Sequence, residues 1–124
     1  MSSTIIIVDE EEELRENLQD LLEFKGYDVV TYTSGEEILD HFESVKADLV
    51  LLDFQLPGLN GIDVLIQIKE KMPSLPVALV TASSQPQTLE QASRYGVDRI
   101  VMKPYSSQEI LHAVNELLQS PIAV

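Results

Sequence analysis

Four short runs of unbroken apolar residues constrain this chain more than any other feature: Ile5-Ile6-Ile7-Val8, Leu49-Val50-Leu51-Leu52, Val77-Ala78-Leu79-Val80 and Ile100-Val101-Met102. A strand with one wet face alternates apolar and polar residues. A run without alternation suits a strand covered on both faces, as in a parallel sheet. A fifth segment, 28–33, reads DVVTYT, is more polar and alternates, which is the pattern of an edge strand.

Helical patterns fill the intervals. Leu14, Leu18, Leu21 and Leu22 make one stripe of a helix that Gly26 can stop. Ser34 with Glu37 reads as a capping box opening the next helix. Ile62, Leu65, Ile66 and Lys69 mark a third, ended by Pro73, and a weaker fourth runs from Pro86 to Tyr95 and closes at Gly96. Ser106 with Glu109 is a second capping box, after which Ile110, Val114, Leu117 and Leu118 form the last stripe, with Pro121 beyond its end. Five strand–helix pairs predict an α/β domain with a parallel sheet and right-handed crossovers. With the second and fifth strands at the edges, the order is the doubly wound 2-1-3-4-5, and ligands bind beyond the carboxyl ends of the strands, where the order reverses between the first and third.

Composition narrows the class. The chain has 124 residues, 44% of them hydrophobic and 23% charged, which suits one globular domain. No apolar run approaches the roughly 18 residues of a membrane span, and the N-terminus lacks the basic segment of a secretory signal. There is no cysteine, hence no disulfide framework, and a cytoplasmic location is expected. Twenty-one acids against eight bases give a net charge of −13, which disfavours nucleic acid and anionic membranes and favours divalent cations and basic partner surfaces. Most of the acids read simply as a solvated surface.

The functional question is what stands at the strand ends. Asp9 and Glu10 to Glu13 follow the first strand, Asp53 the third, Thr81 and Ala82 the fourth, and Lys103 and Pro104 the fifth. An acidic first turn suits any helix and accounts for Glu11, Glu12 and Glu13. Asp9, Asp53, Thr81 or Lys103 alone would each pass as a cap, a turn residue or a solvated charge. Together with Glu10, at successive strand ends of one sheet, they predict a common crevice holding three acids, a hydroxyl and an ammonium. Two carboxylates about 4 Å apart repel by roughly 4 kcal/mol at an effective dielectric near 20. A hard divalent ion relieves such crowding, and oxygen ligands are what Mg²⁺ prefers. Clustered His and Cys are missing, which argues against zinc or iron. The turn after the first strand has no glycine and five consecutive acids, the reverse of a phosphate cradle. A cation at such a crevice points to phosphoryl chemistry, with Asp53 as nucleophile toward phosphorus and Lys103 and Thr81 supplying charge and a hydrogen-bond donor. Ala82, being small, leaves a path to the site.

The segments IIIVDEEEELRENL, LVLLDFQLPGLNGIDVL, VALVTA and RIVMKP resemble, as a set, the signature blocks of response regulator receiver domains, over about residues 4–119. The resemblance implies a flavodoxin-like (βα)₅ fold and a single receiver domain over residues 1–124. It implies that Asp53 accepts a phosphoryl group from a sensor histidine kinase or a histidine phosphotransfer protein. By the same resemblance, Asp9 and Glu10 with Asp53 and the backbone carbonyl of Gln55 would hold Mg²⁺ (or Mn²⁺). Thr81 would be the switch hydroxyl and Lys103 the lysine that pairs with the phosphoryl group, the Lys103–Pro104 peptide often being cis. The side chains of Gln55 and Ser83 would lie near the phosphoryl group and influence hydrolysis. Gly58, Asn60 and Gly61 match the turn after the acceptor strand and read as turn geometry and helix entry.

One position departs from the family pattern. Three residues before the lysine, where receivers usually carry an aromatic, stands Ile100, which is stiff and cannot hydrogen-bond. Tyr95 and Tyr105 lie nearby in sequence and read as packing residues. His41 and His112 read as surface residues, not phosphotransfer histidines.

The expected function is a phosphorylation-dependent switch that changes a surface contacted by a downstream protein target, with no separate substrate turned over. Phosphorylation can also promote homodimers through the last helices in this family, for which Leu111 and Ala113 alone are a thin argument. Other classes are an aspartyl-nucleophile phosphohydrolase of the haloacid dehalogenase kind, which Asp9 and Glu11 match only loosely, a receiver that is never phosphorylated, and a flavin-binding flavodoxin relative, which would need the missing phosphate loop.

Overall fold

In the computed structural model, which describes residues 2–118, strands and helices alternate. They are β1 (Thr4–Val8), α1 (Glu12–Phe24), β2 (Asp28–Tyr32), α2 (Gly35–Val45), β3 (Leu49–Asp53), α3 (Gly61–Lys71), β4 (Val77–Thr81), α4 (Pro86–Arg94), β5 (Arg99–Met102) and α5 (Ser107–Leu118). The five strands form one sheet in the order β2-β1-β3-β4-β5, every pairing parallel. This is the doubly wound arrangement expected from the runs. Gln119, the expected end of the core, and Pro121 lie outside the described residues.

Strand alternation divides the core between two faces. Ile5, Ile7, Leu49, Leu51, Ala78, Val80 and Val101 pack with Leu18 and Leu22 of α1 and Ile110, Ala113 and Val114 of α5. Ile6, Val8, Val50, Leu52, Val77 and Leu79 pack with Ile38 and Phe42 of α2, Val64, Leu65 and Ile68 of α3, and Ala92 of α4. Both faces are covered, which is why β1, β3 and β4 show no polar alternation. Ala113 is in this core, so it is not part of any surface open to a second copy.

Two local readings change. Ser34 accepts from Glu37 N as expected, but Glu37 Oε1 accepts from Thr33 N at 2.8 Å rather than from Ser34 N, so the box closes one residue early. A complete capping box opens α3 instead: Asn60 Oδ1 accepts from Asp63 N at 3.0 Å and Asp63 Oδ2 from Asn60 N at 3.2 Å. The Ser106–Glu109 box is reciprocal as read. Gly26 and Gly96 end their helices with positive φ, and Lys46 (φ 57°) does so for α2 without any sequence signal.

Candidate functional site

Register places the key residues together. Val8 pairs with Leu52 and Asp53 with Val80, so the chain leaving β1 puts Asp9 beside Asp53 at the carboxyl end of the sheet. Thr81 pairs with Met102, and Lys103 N donates to the Thr81 carbonyl at 2.9 Å, which brings the lysine to the same end. Lys103 and Pro104 are joined by a cis peptide.

The ammonium of Lys103 stands among three carboxylates. Its Nζ is 3.2 Å from Asp53 Oδ2, 3.5 Å from Asp9 Oδ2 and 3.7 Å from Glu11 Oε1. Asp9 and Asp53 are each only 5% exposed, while Glu11 is on the surface. Asp53 Oδ1 accepts a long hydrogen bond, 3.4 Å, from Gln55 N. Burial first, and then the charge of Asp9, push the Asp53 carboxyl up to about 6, against the lowering pull of Lys103 and the Gln55 amide. On Lys103, burial acts to lower the pKa but is outweighed by Asp53, Asp9 and Glu11, so the net shift is upward. The ammonium therefore stays charged, and the crevice keeps a surplus of negative charge.

This differs from the expected three-acid crevice in one respect. Glu10 is exposed and is not gathered with Asp9 and Asp53; it lines a shallow depression with Phe54, Gln55, Leu56, Pro57 and Asn60. Among the described residues no three His, Cys, Asp or Glu side chains are grouped closely enough to hold a metal ion. The acid beside Lys103 that sequence reasoning assigned only to the helix dipole is Glu11. Its separation by two residues from Asp9, whose Oδ1 accepts from Glu11 N at 2.9 Å, was the available signal.

Thr81 is 1% exposed, and its Oγ1 accepts from Ser83 N at 2.9 Å. Ser83 Oγ in turn accepts from Gln85 N, at the start of α4. Ala82 is exposed and lines, with Leu14, Lys103, Pro104 and Tyr105, an apolar depression beside the site. Tyr105 is half-buried, and burial first, then Asp9, Asp53 and Glu11, push its phenol up to about 12. Tyr95 lines a different depression, with Lys69 and Asp98, near the start of β4. Ile100 is half-buried and packs in the α2–α3–α4 core. His41 stacks on Tyr32 with ring centroids 5.7 Å apart, and His112 lies beside Glu116.

Two glycines do more than turn the chain. Gly58 has φ +72°, and a Cβ there would stand 2.5 Å from Glu36 Oε2. Gly61 needs no positive φ; a Cβ would stand 2.6 Å from the Asp53 carbonyl oxygen and 2.7 Å from Phe54 Cα. With Gly61 N donating to the Phe54 carbonyl at 2.8 Å, α3 begins in direct contact with the backbone that carries Asp53.

The donor chemistry suits a hard cation. The Asp9 and Asp53 carboxylates offer oxygen donors of the kind such an ion takes, and Glu10 stands apart from them on the surface. Burial first and the Asp9 charge second raise the Asp53 carboxyl, and Lys103 with the Gln55 amide does not offset the two together.

Comparison with known proteins agrees. The response regulator receiver domain family model matches residues 5–115. The alkaline phosphatase synthesis transcriptional regulatory protein PhoP of Bacillus subtilis is 36% identical over 119 residues, covering 96% of this chain and 50% of PhoP. The chain thus spans about half the length of that curated relative. Among solved structures, the response regulator TrrA of Thermotoga maritima, in complex with Mg²⁺-BeF, is 34% identical with a TM-score of 0.86, covering 94% of this chain and 99% of TrrA. A CheY-like receiver domain protein from Methanospirillum hungatei has a TM-score of 0.92 at 26% identity, covering 95% and 94%. The chain belongs to the response regulator receiver domain family of two-component signalling, and that membership implies phosphoryl acceptance. No helix among the described residues is long and apolar enough to cross a membrane.

Proposed function

We propose that residues 1–124 form one receiver domain in which Asp53 takes a phosphoryl group from a phosphohistidine donor, with Mg²⁺ (or Mn²⁺) held by Asp9, Asp53 and the Gln55 carbonyl, and by Glu10 once its exposed side chain turns in. The observation that carries the reading is the buried Asp53 carboxylate, crowded by Asp9 and only partly offset by Lys103 at 3.2 Å. The bound cation supplies charge neutralisation for the transferring group. An Asp53 oxygen forms the new bond to phosphorus as the phosphorus–nitrogen bond of the donor breaks, and the imidazole leaves with the bonding pair. Lys103 offers its ammonium to the phosphoryl oxygens. Thr81 uses its oxygen to accept from Ser83 N, so its hydroxyl proton remains available for donation toward the phosphoryl group.

The partner surface follows from the same hydrogen bonds. Thr81 Oγ1, Ser83 and Gln85 form a chain from the site to the start of α4. A Thr81 hydroxyl drawn toward the phosphoryl group pulls on that chain and shifts the α4 entry, which a downstream protein reads. Ile100 takes no part in this route. The donor is a sensor histidine kinase or histidine phosphotransfer protein, and no separate substrate is turned over.

Acetyl phosphate with Mg²⁺, followed by intact mass, tests the chemistry. Wild type gains the mass of one phosphoryl group and Asp53→Asn gains none; equal labelling of the two would exclude Asp53 as acceptor.

A further inference from the structure

Every polar group of Asp9 has a partner. Its N donates to the Tyr32 carbonyl, its Oδ1 accepts from Glu11 N and its Oδ2 faces Lys103. Its remaining polar group, the backbone carbonyl, accepts from Arg15 Nη1 at 3.0 Å. Arg15 is half-buried on the first turns of α1, with Glu11 four residues before it, Glu12 three before and Glu16 next to it. An arginine so surrounded ordinarily pairs with a carboxylate. Among the described residues Arg15 makes no ion pair, and its guanidinium is committed instead to the main chain of Asp9.

The carbonyl it holds belongs to the peptide joining Asp9 to Glu10. The orientation of that peptide decides where both acidic side chains project. Groups that orient metal ligands from outside typically change metal affinity about 10–100-fold when removed. We infer that Arg15 is a positioning residue for the acid pair, fixing the Asp9–Glu10 peptide so that Asp9 is already set for a divalent cation and Glu10 has only its side chain to turn. This rests on the metal-dependent reading above. A purely structural arginine would affect folding stability and leave cation affinity alone.

The test measures Mg²⁺ affinity on the whole chain, by following the melting temperature across an Mg²⁺ titration, for wild type, Arg15→Ala and Arg15→Lys. The Mg²⁺ dependence of acetyl phosphate labelling is recorded beside it. Arg15→Ala is expected to need about tenfold more Mg²⁺ in both assays, with labelling at saturating Mg²⁺ within about twofold of wild type. Arg15→Lys, which keeps a donor on a long chain, restores part of the affinity. An Arg15→Ala curve superposed on wild type, or a loss of melting temperature without Mg²⁺ and no change in the titration midpoint, overturns the inference alone. A wild type that neither responds to Mg²⁺ nor gains mass overturns the proposed function, and the inference with it.

Discussion

The two ends of the sheet each carry a lysine held by oxygen acceptors, and they are built to opposite purposes. At the amino end, Lys69 Nζ is 2.7 Å from Asp98 Oδ2, 2.7 Å from the Leu75 carbonyl and 3.4 Å from the Pro73 carbonyl. Asp98 Oδ2 also accepts from Val77 N at 2.8 Å. One cation meets one anion, the distances are short, and the cluster ties the end of α3 to the entries of β4 and β5. At the carboxyl end, Lys103 faces three carboxylates at 3.2 to 3.7 Å. A matched pair acts as a staple, whereas a mismatched cluster keeps charge that only another cation relieves.

The largest expected effect breaks the staple. Lys69→Met leaves Asp98 and two carbonyls without their cation and should cost roughly 2–3 kcal/mol in denaturant unfolding. Phosphoryl labelling of the folded variant should stay at the wild-type level; a stability change below about 0.5 kcal/mol would mean the amino end is no staple.

Asp53→Asn should move stability the other way. The folded carboxyl sits at about 6, above its unfolded value of 3.8. Below about pH 4 the group is protonated in both states and contributes nothing. As pH rises through 4 to 6 the unfolded chain ionises more readily, so wild type loses stability, and above about 6 the loss is complete. The variant lacks this loss and should be about 2 kcal/mol more stable at pH 7, with little difference at pH 4. Urea curves with the same gap at both pH values would contradict the charge-crowding account.

Mg²⁺ sharpens the contrast with the smallest effect. At tenfold its dissociation constant it should add about 1.4 kcal/mol to wild type. The melting temperature should rise, and rise less for Asp53→Asn. Lys69→Met should respond as wild type does, because its cluster lies at the opposite end of the sheet from the Asp9–Asp53 crevice. An equal Mg²⁺ response in Asp53→Asn and wild type would separate the cation from Asp53.

Much of the architecture was legible because burial leaves a one-dimensional trace. A strand covered on both faces must be apolar throughout, so the runs at 5–8, 49–52 and 77–80 marked the central strands and, with the polar 28–33 segment, the sheet order. Asp9, Asp53, Thr81 and Lys103 could be placed at one end because a parallel sheet puts every carboxyl terminus on the same side. Glu10 and Glu11 could not be told apart in this way. Both are acids just past a strand, and which one faces the ammonium depends on how α1 starts. Gly61 read as a turn residue because the 2.6 Å approach of its position to the Asp53 carbonyl is a contact between segments. Arg15 carried no signal, since its partner is a carbonyl and every residue has one.

The order of amino acids alone determined the hydrophobic pattern, and so the layers, the strand sequence and the end at which ionisable groups collect. Tertiary structure decided the rest: which two acids are buried at 5% exposure, how far the charge of Asp53 is offset, and which side chain holds the peptide between Asp9 and Glu10. The reason is range. Periodicity is set by neighbours along the chain, whereas electrostatics and close packing depend on distances of 3 to 4 Å between residues as far apart in sequence as Asp9 and Lys103.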